Sequence, residues 1–141
     1  MRAIKFRAWD TEKRQMHDAD IIVFLADGSC KVLLGNEKGP LNHVWKPTLM
    51  QFTGVKDVNG KEIYEGDIIR VSDFNCVDVV SDESGIGQRE IFEDIECEVH
   101  YEGSGFTFLS DNHGDIPLDV IDEKNFEIIG NIYQNITGIE L

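Results

Sequence analysis

Cys97 and His100 pair a thiol with an imidazole, the two side chains that most often hold zinc. Their spacing argues against a shared ion. The surrounding residues alternate like a strand, and strand residues three apart face opposite sides. No second Cys/His pair completes a four-ligand set, and His17, His43 and His113 are scattered. Asp57-Val58-Asn59-Gly60 opens like a calcium loop. An EF-hand, however, needs Gly at its sixth position and Glu at its twelfth, where this chain has Glu62 and Ile68. A tight turn is the better account of those residues. Asp111-Asn112-His113-Gly114-Asp115 has oxygen donors for a cation, yet its composition is that of a polar hairpin loop. Nucleophilic catalysis needs a nucleophile, a base and an orienting group. Gly103-Ser104-Gly105 lacks the G-x-S-x-G elbow, and Gly85-Ile86-Gly87 lacks the third glycine of a dinucleotide loop. No Walker A loop is present. Carboxylate pairs for glycoside hydrolysis are decided by spatial separation, which 27 acids in a sequence do not reveal. The sequence therefore names no catalytic, cofactor-binding or metal residues.

One set of carboxylates does have a pattern. Glu96, Glu98 and Glu102 recur on one side of an alternating segment, with Glu93 and Asp94 just before it. Ile95, Cys97, Val99 and Tyr101 fall on the other side. This is a strand with an apolar face and an acidic face. The five acids are candidates for contact with a protein partner.

The elements around that strand follow the same period of two. Ile4, Phe6 and Ala8 alternate with Lys5 and Arg7. Ile21 to Leu25 and Lys31 to Leu34 form a hairpin around Asp27-Gly28. Leu49, Met50 and Phe52 begin another strand, and Asn59-Gly60 suits a type I′ turn. Glu65-Gly66-Asp67 is a further turn before the apolar strand Ile68 to Val71. Residues 72–94 are polar and weakly periodic, and are expected to form a long loop or excursion between strands. Phe106 and Phe108 pair back on the Ile95–Tyr101 strand. Residues from Pro117 to Lys124 have room for one helical turn. The last strand, Phe126 to Tyr133, is bulged near Gly130. Sustained helical periodicity is absent.

A chain of 141 residues suffices for one domain without staples. Its three cysteines, Cys30, Cys76 and Cys97, are odd in number and widely spaced, which fits a reducing compartment. The start, Met1-Arg2-Ala3-Ile4-Lys5, has no apolar core of a signal peptide. The longest apolar run, Ile21 to Ala26, is far short of the roughly 20 residues of a membrane helix. A cytoplasmic location is expected. Charge is one-sided. Residues 1–70 hold 11 basic and 10 acidic side chains, whereas residues 71–141 hold 2 and 17. Arg89 and Lys124 are the two bases of the second half, so direct nucleic-acid binding there is disfavoured.

Three segments together carry a family resemblance. They are Ile4-Lys5-Phe6-Arg7-Ala8-Trp9-Asp10; the unbroken stretch Leu49 to Ile69, which includes Gln51-Phe52-Thr53-Gly54 and Tyr64-Glu65-Gly66-Asp67; and Glu127-Ile128-Ile129-Gly130-Asn131-Ile132-Tyr133-Gln134-Asn135. In order and spacing the chain resembles the YopX family of phage and prophage proteins. The resemblance implies a phage or prophage origin and a mostly β fold. It implies no reaction and supplies no catalytic residues. Turn chemistry explains much of the signature: Gly54, Asn59-Gly60 and Gly66 turn the chain, and Asp67 caps a turn. Trp9 and Tyr64 are expected in the core or at its rim.

The expected fold is mainly β with little helix. An N-terminal hairpin lobe at about 1–48 packs on a small SH3-like or barrel-like acidic lobe at about 49–141, within one domain. The SH3 likeness rests on Gly66 to Ile69, similar to the opening strand of such barrels. The expected function is a non-enzymatic phage accessory protein that binds a basic host or phage protein, with no cofactor and no membrane partner. The alternatives are a metal-dependent enzyme built on the Asp111–Asp115 loop and a self-assembling protein with exposed strand edges.

Overall fold

The computed structural model describes residues 3–34, 42–102, 105–110, 114–117 and 123–134. The fold is mainly β, in several antiparallel sheets that include a curled half-barrel. The strands are β1 (Phe6–Asp10), β2 (Gln15–Asp18), β3 (Ile21–Phe24), β4 (Cys30–Leu34), β5 (Asn42–Trp45), β6 (Thr48–Lys56), β7 (Glu62–Tyr64), β8 (Asp67–Asp82), β9 (Gly85–Glu102), β10 (Gly105–Ser110), β11 (Gly114–Pro117) and β12 (Phe126–Asn131). One 3-10 turn, Glu123–Asn125, precedes β12. The sheet orders are β2-β1-β6-β7, β3-β4-β5 and β11-β10-β9-β8-β12. The first of these draws two strands from before residue 48 and two from after it.

Two apolar clusters hold the sheets. Ala8, Ala19, Val32 and Val44 bury the inner face of β3-β4-β5 against β1, with Phe6, Ile22 and Leu49 at the margin. The larger cluster is Ile63, Ile69, Val71, Ile95, Cys97, Val99, Phe108, Ile116 and Phe126. Phe108 and Phe126 meet edge to face, 4.9 Å between centroids. Trp9 is buried and stacks on Tyr133 at 4.7 Å, so the first and last segments of the signature touch. Tyr64 is half-buried, at the rim.

The turn Tyr64–Asp67 connects most of these parts. Asp67 Oδ2 accepts the Tyr64 N–H at 2.8 Å, which closes the turn as its sequence suggested. Glu65 N–H donates to the Gln51 carbonyl of β6, and Glu65 Oε1 accepts the Gln51 N–H. Gly66 N–H donates to Val99 of β9, and its carbonyl accepts from Ile132 beyond β12. Gly66 holds φ +83°, and a Cβ there would stand 3.1 Å from Met50 Sδ. A side chain would meet both strain and crowding. Arg7 reaches this turn from β1. Its guanidinium lies 2.8 Å from Asp67 Oδ1, donates to the Glu65 carbonyl and stacks over the Tyr64 ring. Asp67 is buried and Arg7 half-buried, at 2% and 12% side-chain exposure.

Two turn readings change in detail. Asp57 carries the Asn59-Gly60 turn: its Oδ1 accepts the N–H groups of Asn59 and Lys61, and its Oδ2 accepts that of Ile128. Gly60 has positive φ but Asn59 does not, so the turn is not type I′. The Asp57 carboxylate supplies the bonds that the tighter turn would have omitted. Residues 72–94 are not a loop. They extend β8 and β9 as one hairpin closed at Glu83-Ser84, past an irregularity between Val71 and Phe74. Asp82 Oδ1 accepts both the N–H and the hydroxyl of Ser84. Gly85 takes the positive φ that ends the turn. Cross-strand backbone bonds form whatever the side chains are, so weak periodicity hid this hairpin. The bulge near Gly130 is present, as a register shift between Ile128 and Gly130.

Burial pushes the Asp67 carboxyl above the ordinary carboxylate value, while Arg7 and the Tyr64 N–H pull it partly back. The folded state thus holds this proton more readily than the unfolded chain. Its contribution favours folding as pH falls and weakens as pH rises through the folded value. Arg7→Met removes the cation and leaves burial opposed only by the Tyr64 N–H. Unfolding in urea should show a loss of about 3–5 kcal/mol at pH 8. The loss relative to wild type should shrink as pH falls and Asp67 takes up its proton. A loss that stays the same as pH falls would assign the effect to packing.

Candidate functional site

The five carboxylates singled out in the sequence all lie on or beside β9, and the fold strings them out rather than gathering them. The alternation holds through the middle of the strand: Ile95, Cys97 and Val99 are buried, while Glu96 is exposed and Glu98 half-buried on the outer face. It breaks at Tyr101, which is exposed and leans edge-on against Phe106. Glu93 faces solvent at the root of the long hairpin, in register with Phe74. Asp94 sits at the ladder irregularity, where its Oδ1 accepts the Asp73 N–H at 3.1 Å. Glu102 is the last residue of β9, in register with Gly105. From Glu93 to Glu102 the strand spans about 30 Å.

A cation on the neighbouring strand interrupts the acidic face. Arg70 of β8 is in register with Glu96 and with Glu127 of β12, and it contacts Glu96 Oε1 at 3.4 Å. Both side chains are exposed, so the pair contributes little stability. It nevertheless occupies part of the field that Glu96 would offer a partner. Arg70 is invisible as a neighbour in sequence because 26 residues separate the two. Glu98 lies opposite Ile68 on one side and Leu109 on the other. Its surroundings are more apolar than its sequence neighbours imply.

Sequence reasoning also missed the apolar side chains of the hairpin arm. Val79, Ile86 and Phe92 are all exposed there. Their signal was the β-branched run Val77-Asp78-Val79-Val80, followed by the turn formers Asp82-Glu83-Ser84-Gly85.

Cys97 is buried in the main core and His100 lies half-buried three residues on, on the opposite side of the strand. Burial pushes the Cys97 thiol up to about 11, against a lowering by Ser110. Of the Asp111–Asp115 segment, residues 111–113 lie outside the described residues, as do Gly103 and Ser104. Among the described residues no three His, Cys, Asp or Glu side chains converge where a metal ion could be held. A groove of about 560 Å³ runs along β1 and β3, lined by Phe6, Asp18, Asp20, Ile22, Glu62 and Tyr64. Lys5 at its edge is bonded to Glu62 at 3.0 Å. Burial raises the Tyr64 phenol there, helped by Glu62 and Asp18, so it is no ready base. No described helix is long and apolar enough to cross a membrane.

Residues 5–140 match the family model described as YopX protein. Among solved structures, the protein EF1440 from Enterococcus faecalis is similar over 94% of each chain, with a TM-score of 0.55 and 22% identity. That likeness concerns the fold. No curated protein matches the chain.

The thiols offer a check on the core. At pH 8 only about one Cys97 in a thousand would be thiolate. Maleimide treatment followed by peptide mass mapping should modify Cys30, which is less buried, and spare Cys97 until denaturant is added. Modification of both at similar rates in the native protein would contradict the placement of β9.

Proposed function

Because the chain belongs to the YopX family, we propose that it acts as a phage or prophage accessory protein, a non-enzymatic module that binds a basic protein through the acidic surface of its C-terminal half. One observation carries the reading. The excess of 17 acids over 2 bases falls on residues 71–141, and exposed carboxylates of that excess line β9 at Glu93, Asp94 and Glu96. Like charges held on one folded surface repel, so they cost stability unless a partner of opposite sign offsets them. They also repel nucleic-acid phosphates and favour Lys- and Arg-rich protein surfaces. The Arg70–Glu96 contact is compatible with this role, since an exposed pair is weak enough to be exchanged for a partner's cation.

A pull-down from bacterial host lysate tests the reading. A basic protein should co-purify at low salt and be lost at about 0.5 M salt, where screening shortens the reach of charge to a few ångströms. Glu96→Lys combined with Glu93→Lys should reduce its recovery several-fold. Retention of the same partner at high salt and by the double variant would remove the electrostatic basis of the proposal.

A further inference from the structure

The hairpin between Phe74 and Glu93 leaves the sheet that anchors it. β12 pairs with β8 only as far as Val71, and β10 pairs with β9 only as far as Glu98. Beyond those points Phe74–Asp82 and Gly85–Glu93 pair with each other in nine registered pairs. Among the described residues no third strand joins them. At about 3.4 Å per residue the arm is about 27 Å long. A two-stranded ribbon standing in water is marginal by itself. This one also exposes apolar surface. Val79 lies opposite Gln88, Ile86 opposite Ser81 and Phe92 opposite Asn75, and ladder partners share a face. The three apolar side chains therefore lie on one face, 64%, 82% and 63% exposed. Phe74 at the root turns the other way and packs on the main core, so the arm is seated firmly at its base.

Charge selects the occupant of that face. Residues 73–94 hold seven acids and one base, Arg89, a net of −6. A second copy would bring −6 against −6. Nucleic acid and anionic lipid carry the same sign as the arm. A protein segment with apolar residues alternating with Lys or Arg satisfies both the exposed face and the charge. We propose that the arm is a docking strand pair: such a basic segment adds itself as a third strand along the free edge of β9 at residues 86–93. Main-chain hydrogen bonds align the added strand, as in β-strand addition generally. Its apolar side chains extend the Val79–Ile86–Phe92 face. Its cations, on the opposite face, come beside exposed Glu93, while exposed Glu90 flanks the apolar face. This assignment rests on the protein-binding reading and gives it a place and a mode.

The probe is a synthetic nine-residue peptide alternating valine and lysine, with a valine–glutamate peptide of equal length beside it. Fluorescence anisotropy should show binding of the first and at least tenfold weaker binding of the second. Backbone amide shifts should move along residues 86–93. The variant Val79→Ser, Ile86→Ser, Phe92→Ser removes exposed side chains only. It should keep its thermal unfolding profile and lose at least tenfold in affinity. Failure of the lysine peptide to bind, equal binding of both peptides, or undiminished binding by the triple variant would overturn the arm assignment. Loss in the Glu93→Lys, Glu96→Lys variant with no loss in the triple variant would also overturn it, while leaving the acidic-surface reading standing. A concentration-dependent dimer in sedimentation that the triple variant abolishes would assign the face to a second copy instead.

Discussion

Arg7 and Asp67 meet 2.8 Å apart where the first strand crosses the start of the eighth. Asp67 is buried and Arg7 half-buried, and moving such charges out of solvent is costly. Their surroundings offset much of that cost, although Arg7 Nε is buried without a hydrogen-bond partner. Asp67 accepts from Arg7 and from the Tyr64 N–H, and Arg7 also donates to the Glu65 carbonyl beneath its stack on Tyr64. The pair is directional. An apolar contact at the same place would hold the sheets together without fixing how β1 lies over the turn.

The rest of the architecture hangs on that turn. Through Glu65 it is bonded to β6, and through Gly66 to β9 and to the chain beyond β12. Four distant stretches are thus placed by four consecutive residues, Tyr64 to Asp67. Asp57 does similar work one turn earlier, tying its own hairpin to Ile128 of β12. In sequence Asp67 read as a turn cap and Asp57 as part of a tight turn resembling a calcium loop. In the fold both are buried acceptors: Asp57 takes the N–H groups of Asn59, Lys61 and Ile128, and Asp67 takes the Tyr64 N–H and the Arg7 guanidinium.

The consequence for function lies at the other end of β8 and β9. Because the turn and the main core clamp the first residues of β8 and the last of β9, the remaining lengths can stand away from the sheet without unravelling. The excess charge then has two settings. Glu96 and Glu98 lie on the broad outer face, checked by Arg70 and by apolar neighbours. The arm's acids stand on a narrow ribbon beside exposed Val79, Ile86 and Phe92. Apolar and acidic groups therefore lie together on the arm.

Much of this was legible in the residues alone. Alternation at Phe6–Ala8 and Ile95–Val99 marked strands, because burying one face of a sheet demands a period of two, whereas Ile4 lies exposed outside β1 and the apolar run Ile21–Leu25 turns Ile22, not Ile21, to the core. Gly66, Gly60 and Gly130 marked turns and a bulge, and the signature running from Leu49 to Ile69 named the family. What escaped was whatever depends on contact across long separations. The hairpin arm escaped because its two faces are both mixed, so no period survives, although backbone pairing needs none. Arg70 beside Glu96, and Arg7 on Asp67, escaped because the partners stand 26 and 60 positions apart in the chain. The sequence determined that the chain is β-rich, acidic in its second half and YopX-like, since these depend on local pattern and composition. Only the tertiary structure decided which acids are buried acceptors, which are paired and which stand exposed on an arm, because the field around a carboxylate is set by neighbours in space.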